Sequence, residues 1–322
     1  MQNSLHHTHK AGETWSRQPL DRRAFSRALA LGLGAASFPA LHAAPQRNLK
    51  IGHTCITWNT FPRRGPEPDA TLESALQDIA SLGYYCFETF PEVLADWDAK
   101  GALTPLIDKY GVPLRSGYIR TNLTDPAQRK DSVTQAIRLA KIIKKYGGTY
   151  GVLAPNSVKR DSYNFQEYRA SIIAGLNDHA QAVADVGLGT GLHQHTGTCI
   201  ETRDEVYAVM DTVDTRVMKF APDVGQLQKG GADAAKVIQD FLPLVTHMHL
   251  KDYSGGEHFV GYCPLGQGKV DIPRVLDLVE GANQNPNIMV ELDPSPKQPL
   301  TALETARISK AYLQKQGYKF RT

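Results

Sequence analysis

A chain of 322 residues with 41% hydrophobic side chains can hold one large domain or two ordinary ones, and its composition excludes disordered, collagenous and coiled-coil classes. The formal charge of +3 is concentrated at the N-terminus: the first 43 positions carry five basic and two acidic residues, out of 36 and 33 in the whole chain. The remainder is neutral, which argues against binding nucleic-acid phosphates as the main task.

The N-terminal segment reads as an address. Arg22 and Arg23 form a pair with Phe25 two places on, and a Gly/Ala-rich, moderately apolar run follows from Ala28 to Leu41 before His42-Ala43-Ala44-Pro45. This resembles a bacterial twin-arginine (Tat) export signal. A cut after Ala43 leaves Leu41 at the minus-three position, which is imperfect. The expected organisation is a signal over 1–43 and one domain over 44–322, exported to the periplasm or secreted. The alternative is an amphipathic helix that stays attached. The apolar run is short and broken by glycines, so the mature chain is not expected to insert stably into a membrane. Cys55, Cys86, Cys199 and Cys263 show no Cys-x-x-Cys spacing and are too sparse for a disulfide framework, so buried thiols are expected.

After the signal, short β-prone runs alternate with helical patterns. Leu49 to Ile56 is a first strand, followed by a Pro/Gly-rich loop and a helix over Thr71 to Leu82. Tyr84 to Glu88 is a second strand, with a helix from Leu103 to Tyr110. Val112 to Gly117 and the long helix Pro126 to Tyr146 make the third unit. Thr149 to Leu153, with a helix from Phe165 to Val186 capped by Gly187, makes the fourth. Four more strands end at His195, Asp223, His249 and Glu291. The helices associated with them lie near Arg203 to Met210, Ala232 to Phe241, Ile272 to Gly281 and Thr301 to Gln316. Eight strand–helix units predict a single-domain α/β fold, the (β/α)8 TIM barrel. A doubly wound open sheet would carry a Gly-rich phosphate turn after its first strand, and Ile56-Thr57-Trp58-Asn59 is not one.

The last four strands each stop on a side chain that can hold a metal. They end in His193-Gln194-His195, Pro222-Asp223, His247-Met248-His249 and Val290-Glu291. In a barrel of this kind, chemistry sits at the carboxyl ends of the strands. Two imidazoles and two carboxylates there form a mixed N/O set suited to Mn, Co, Fe or Zn, with Mg also in range. A period of two places His193 with His195 on one face, and His247 with His249, so spacing leaves two candidates at each place.

These blocks, together with Asp223-Val224-Gly225-Gln226, His249-Leu250-Lys251-Asp252 and Gly266-Gln267-Gly268, resemble the xylose isomerase-like TIM barrels of the sugar phosphate isomerase/epimerase superfamily. The His-x-His-x-Gly-Thr and His-Leu-Lys-Asp blocks are most similar to those of inosose dehydratase. The resemblance implies a divalent metal held by His193, Asp223, His249 and Glu291, and enolisation of a sugar or keto-sugar. It also places Glu88 at a position that is often acidic in the family, which makes it a candidate catalytic residue. Two departures stand out: Gln226 replaces a frequent histidine, and His193 replaces a frequent glutamate.

Losing the carboxylate at position 193 removes a possible general base, so the expectation leans to a dehydratase- or hydratase-type lyase. The alternatives are a sugar isomerase or epimerase working through an enediolate, and a non-catalytic periplasmic carbohydrate-binding barrel. On the lyase reading, Glu291 is the base, and His195 or Lys251 is the acid for the leaving hydroxyl. His53, Trp58, Arg115 and Gln226 are candidate substrate contacts, with Arg120 also following the third strand. Asp252 and Asp271 read as loop-fixing or helix-capping groups. The expected partner is a small carbohydrate or keto-sugar, with no nucleic acid.

Overall fold

The computed structural model describes residues 47–63, 71–282, 285–296 and 298–322. The segment read as an export signal, 1–43, lies outside the described residues. Chain order gives β1 (Ile51–Thr54), α1 (Thr71–Ser81), β2 (Phe87–Thr89), α2 (Pro91–Ala99), α3 (Leu103–Tyr110), β3 (Leu114–Arg120) and α4 (Arg129–Lys145). It continues with β4 (Tyr150–Ala154), α5 (Phe165–Asp185), β5 (Gly189–Leu192), α6 (Arg203–Met210), β6 (Lys219–Phe220), α7 (Val224–Lys229) and α8 (Ala234–Asp240). The last part holds β7 (His247–Leu250), a small hairpin β8 (Asp252–Tyr253) and β9 (Tyr262–Cys263), then α9 (Ile272–Gly281), β10 (Asn287–Val290) and α10 (Ala302–Lys315).

Eight of these strands form one parallel sheet in the order β6-β5-β4-β3-β2-β1-β10-β7. Its two edges meet through bridges between Phe220 and Val245 and between Asp223 and His249. There the Thr246 amide donates to the Phe220 carbonyl at 3.2 Å and the His249 amide to the Pro222 carbonyl at 2.9 Å. The sheet is therefore a barrel, and the expected TIM architecture holds.

Local sequence explains the outer layer. In α5 the buried residues Phe165, Ile172, Leu176, Ala180 and Val183 recur at helical spacing and face the sheet. Asn164 caps its start, and Gly187, at φ 91, turns the chain out of it. Thr202 with Glu205 and Thr301 with Glu304 form capping boxes at the starts of α6 and α10. The core lies mainly between strands and helices. Inside the barrel mouth the buried residues turn polar: Glu88, Ser116, His193, His247 and His249.

Two helices escape the sequence pattern. In α2, Pro91 occupies the first turn directly behind β2, which reads locally as a loop. The other, α7, starts at Asp223 itself, whose side chain accepts from the Gln226 amide. All four cysteines are buried and free, as expected. Among the described residues no helix is long and apolar enough to cross a membrane.

Candidate active site

Period two and register bring the predicted strand ends together. Asp223 bridges His249 across the β6–β7 seam, Met289 pairs with His249, and the Glu291 amide donates to the Leu250 carbonyl at 3.1 Å. The His193 amide donates to the Leu153 carbonyl at 2.9 Å, so His193 continues β5 and its side chain is buried, whereas His195 lies in the loop beyond. The two imidazoles that spacing left equivalent are thereby distinguished.

Glu88 anchors the lower layer. Its Oε1 lies 2.6 Å from His249 Nε2 and its Oε2 lies 2.9 Å from His247 Nε2, while Ser116 Oγ donates to Oε2 at 2.5 Å. Burial works against its charge, yet the His249 and His247 imidazoles hold it well below the usual carboxylate range. His247 packs one residue pair deeper than His249, face to face with Tyr150, and burial pushes its basicity down. His249 behaves in the opposite way. Burial alone would lower it, but the carboxylates of Glu291, 3.2 Å from Nδ1, and Glu88 lift it to about 9.

Lys251 is the other organising charge. It is fully buried, and its Nζ lies 2.9 Å from Asp223 Oδ2, 2.5 Å from Glu291 Oε1 and 2.9 Å from Asp293 Oδ2. Burial would strip its proton, but Asp223, Asp293 and Glu291 hold it well above the ordinary lysine value, so it is an ammonium. Gly225 explains the Asp-x-Gly motif: a Cβ there would stand 2.8 Å from Lys251 Cγ, so only glycine lets the lysine stem pass.

The donor set fits a metal. His193, Asp223 and His249 each offer a ligand atom within 4.8 Å of the other two. His193 Nε2 is buried with no hydrogen-bond partner, while Asp223 Oδ2 and His249 Nδ1, also buried, make no hydrogen bond of good geometry and are held by ion-pair contacts with Lys251 and Glu291. Burial, with the neighbouring His249 and Lys251 charges, drives His193 well below its ordinary value, which keeps it a neutral imidazole able to ligate a metal. Binding at His249 Nδ1 must displace a proton. Glu88 on Nε2 is then the carboxylate that orients the ligand ring. Glu88, His247 and His249 also lie close enough for a metal, but both Glu88 oxygens are already taken by Ser116 and the two imidazoles.

A cavity of about 710 Å³ opens above these groups, lined by Glu88, His195, Glu291 and Asp293 on its polar side and by Phe61, Phe90 and Tyr118 among others. Several expected contacts lie elsewhere. His53 is buried edge-on between Trp58 and Tyr84, and Trp58 donates to Asp78 at 2.7 Å, so both pack behind the wall and neither lines the cavity. Arg115 sits at the start of β3, far from its carboxyl end, where its charge acts on the Cys86 thiol; Arg120, at the end of the same strand, reaches the cavity.

Gln226 is buried and positions His195. Its Nε2 donates to His195 Nε2 at 2.8 Å, and its Oε1 accepts from Thr196 Oγ1 at 2.7 Å. His195 Nδ1 in turn donates to the Thr196 carbonyl at 2.7 Å. Both ring nitrogens are therefore engaged, and the three donors of Lys251 face three carboxylates, which leaves neither residue a free proton for a departing hydroxyl. Tyr262 lines the cavity instead. Its hydroxyl has no partner of good hydrogen-bond geometry, and burial holds the phenol above its usual range, so it is a neutral O–H donor.

Asp252 accepts from the Gly266 and Gly268 amides at 3.0 and 2.9 Å, fixing the loop that follows the hairpin, and Asp271 caps α9. Sequence reasoning missed Asp293, Tyr118 and Tyr262. Period two would have found the first, because Asp293 repeats the face of Glu291, and likewise Tyr118 repeats that of Ser116. Tyr262 had no such signal, since it is carried by a two-residue strand.

The profile of the family described as xylose isomerase-like TIM barrel matches residues 76–313. An inosose dehydratase of Clostridium botulinum (strain Alaska E43 / Type E3) is 26% identical over 282 residues, covering 78% of this chain and 93% of the relative. Among solved structures, the IOLI protein with a bound zinc atom is similar at a TM-score of 0.64 and 16% identity, over 83% of this chain and 98% of that one. The 3-keto-D-glucoside 4-epimerase YcjR of E. coli gives a TM-score of 0.62 at 15% identity, over 83% and 100%. At these identities the two structures speak for the fold.

Proposed function

Because the chain belongs to the xylose isomerase-like TIM barrel family, we propose that it is a divalent-metal-dependent carbohydrate enzyme that enolises a keto-sugar and eliminates water from it. The observation that carries this reading is the convergence of three buried ligand atoms, on His193, Asp223 and His249, none of them held in a hydrogen bond of good geometry, beside Glu291 at the cavity floor. The name of the inosose dehydratase relative supports loss of water as the outcome. Glu291 completes the ligand set as the fourth strand end. Two imidazoles with carboxylates suit Zn, Mn, Co or Fe(II) better than Mg, which prefers oxygen donors and retained water. A bound divalent ion supplies Lewis acidity toward the substrate ketone.

The chain's own residues supply the proton transfers. Glu291 takes the proton from the carbon beside the ketone, and the electrons of that C–H bond pass into the new C=C. It is chosen over Asp293 because it also touches His249, whereas the contacts of Asp293 run to Lys251. Lys251 holds the Glu291 carboxylate in place and balances its charge. The C–O bond of the hydroxyl one carbon further on then breaks, and its electrons leave with the oxygen. Tyr262 protonates that oxygen, and the proton on Glu291 makes good the loss through solvent. The products are an unsaturated ketone and one water. His193, where a second carboxylate would serve the opposite face, makes epimerisation the less supported outcome.

Metal analysis, with proton NMR in deuterated water on a panel of keto-sugars including an inosose, tests the reading. The expected result is about one metal per chain, loss of the proton next to the ketone, and an enone product. A metal-free protein that exchanges no proton sinks it, and a stereoisomer formed without dehydration moves the assignment to epimerase. Export through the twin-arginine route belongs to the same proposal. Arg22→Lys with Arg23→Lys should leave unprocessed chain in the cytoplasm, and unchanged periplasmic delivery removes that part.

A further inference from the structure

The cavity has two unlike sides. Away from its carboxylates, a run of rings leads outward from the metal-site imidazoles. Tyr118 stands edge-on to His193 with centroids 5.2 Å apart and roughly parallel to His249 at 6.4 Å. Phe90 packs against Tyr118 at 5.2 Å, and Phe61 packs against Phe90 at 5.6 Å. The Arg120 guanidinium lies 5.4 Å from the Phe90 centroid. Ile56 and Pro294 line the same cavity.

The hairpin loop adds Val260, an apolar side chain left 54% exposed at the cavity lip. Val260 is held at φ 59, between Phe259 at 51 and Gly261 at 92, in a region that β-branched residues rarely adopt. Lys229 Nζ donates to its carbonyl at 2.9 Å.

We propose that this side is a subsite for an apolar ring attached to the sugar, so that the substrate is an aryl keto-glycoside. The inference rests on the keto-sugar reading above: the keto ring lies over Glu291 and the aglycone lies along Phe61 and Phe90. A cavity of about 710 Å³ falls in the range of roughly 300–1,000 Å³ that holds a drug-sized ligand, so a single pyranose leaves much of it to water. A second sugar ring would meet Thr54, Thr89 and Arg120 on this side, but it would also set hydroxyls against Ile56, Phe61 and Phe90, which offer them no hydrogen bond. An aryl ring carries no such cost, and it gains edge or offset contacts with the phenylalanines and a cation contact from Arg120.

The metal-loaded protein is titrated calorimetrically with a free keto-hexose, its phenyl glycoside and a disaccharide carrying the same keto ring, and deuterium exchange is followed on each. The phenyl glycoside should bind at least tenfold tighter than the other two. Phe61→Ala should cut that preference at least fivefold, and Phe61→Trp should restore it. Equal affinities, a preference for the disaccharide, or a phenyl preference that survives both Phe61→Ala and Val260→Ser overturns the subsite. Exchange on all three ligands at equal affinity removes the subsite and leaves the enolisation reading standing. A Phe61-dependent phenyl preference with no exchange on any ligand does the reverse.

Discussion

The floor of the cavity and the ring-lined wall beside it treat the same side chain in opposite ways. On the floor, His249 lies between Glu88 and Glu291 and is lifted to about 9. Behind the wall, His53 lies between Trp58 and Tyr84, keeps one hydrogen bond to the Thr54 carbonyl, and is pushed by burial to about 4. Both are fully buried, so depth does not decide the charge. The difference teaches that this barrel keeps charges inside only where each has an opposite charge within contact distance. The floor is thereby poised for a cation and for proton transfer, and the wall is poised to exclude water.

The largest break in that comparison is His249→Ala. It removes one of the three convergent ligand atoms and one of the imidazoles that satisfy Glu88. Loss of a ligand should exceed the about 10–100-fold effect typical of groups that only orient ligands, so bound metal and activity should both fall below detection. Full metal occupancy in the variant, read by elemental analysis, would remove His249 from the set. Tyr262→Phe comes next. It deletes the one hydroxyl assigned to the departing oxygen and leaves the floor charges intact. Elimination should slow by about 10²–10⁴-fold, while deuterium exchange beside the ketone persists. Equal slowing of exchange and elimination would mean that Tyr262 serves binding alone.

Lys251→Met sharpens the account of the floor. Removing one partner of a buried charge set costs about 3–5 kcal/mol, and here Asp223, Glu291 and Asp293 lose their shared ammonium. Urea denaturation without added metal should show a loss of that size at neutral pH. Added Zn or Mn should then stabilise the variant more than the wild type, because a cation is now missing. A neutral effect on stability would show that these carboxylates do not share their charge through Lys251.

Much of this arrangement was legible in the sequence. The strand ends at His193, Asp223, His249 and Glu291 were readable because short apolar runs stop there and period two fixes the inward face. The helices bounded by caps and glycines, such as α5, were readable for the same local reasons. Other features depend on contacts that only folding creates. Lys251 reads as a candidate acid for the leaving hydroxyl until Asp223, Glu291 and Asp293, which lie up to 42 residues away in sequence, surround it. Trp58 and His53 read as a sugar wall because they end a strand; the chain turns tightly there, through Cys55–Trp58, and buries them against Asp78 and Tyr84. Arg115 was misplaced because β3 extends to Arg120, which put the barrel mouth three residues further on than the strand end read at Gly117.

The smallest expected effect tests the wall. His53 has a native value of about 4 and an ordinary unfolded value of 6.5. Above pH 6.5 both states are neutral, and the His53 contribution to stability is fully present. As pH falls, the unfolded chain takes up its proton first, so stability is lost progressively from about pH 6.5 down through about 4. The loss amounts to about 2 kcal/mol by pH 5 and about 3 kcal/mol at the limit, at 1.36 kcal/mol per unit. His53→Phe keeps a ring of similar size against Trp58 and Tyr84 but cannot titrate. It forfeits the bond to the Thr54 carbonyl equally at every pH, so the absolute stability of the variant is not the readout. The gap between variant and wild type, measured by urea denaturation at pH 7.5 and pH 5, should move by about 2 kcal/mol in the variant's favour. A gap that is the same at both pH values would show that His53 takes a proton inside the folded wall, and the contrast with His249 would then fail on this side.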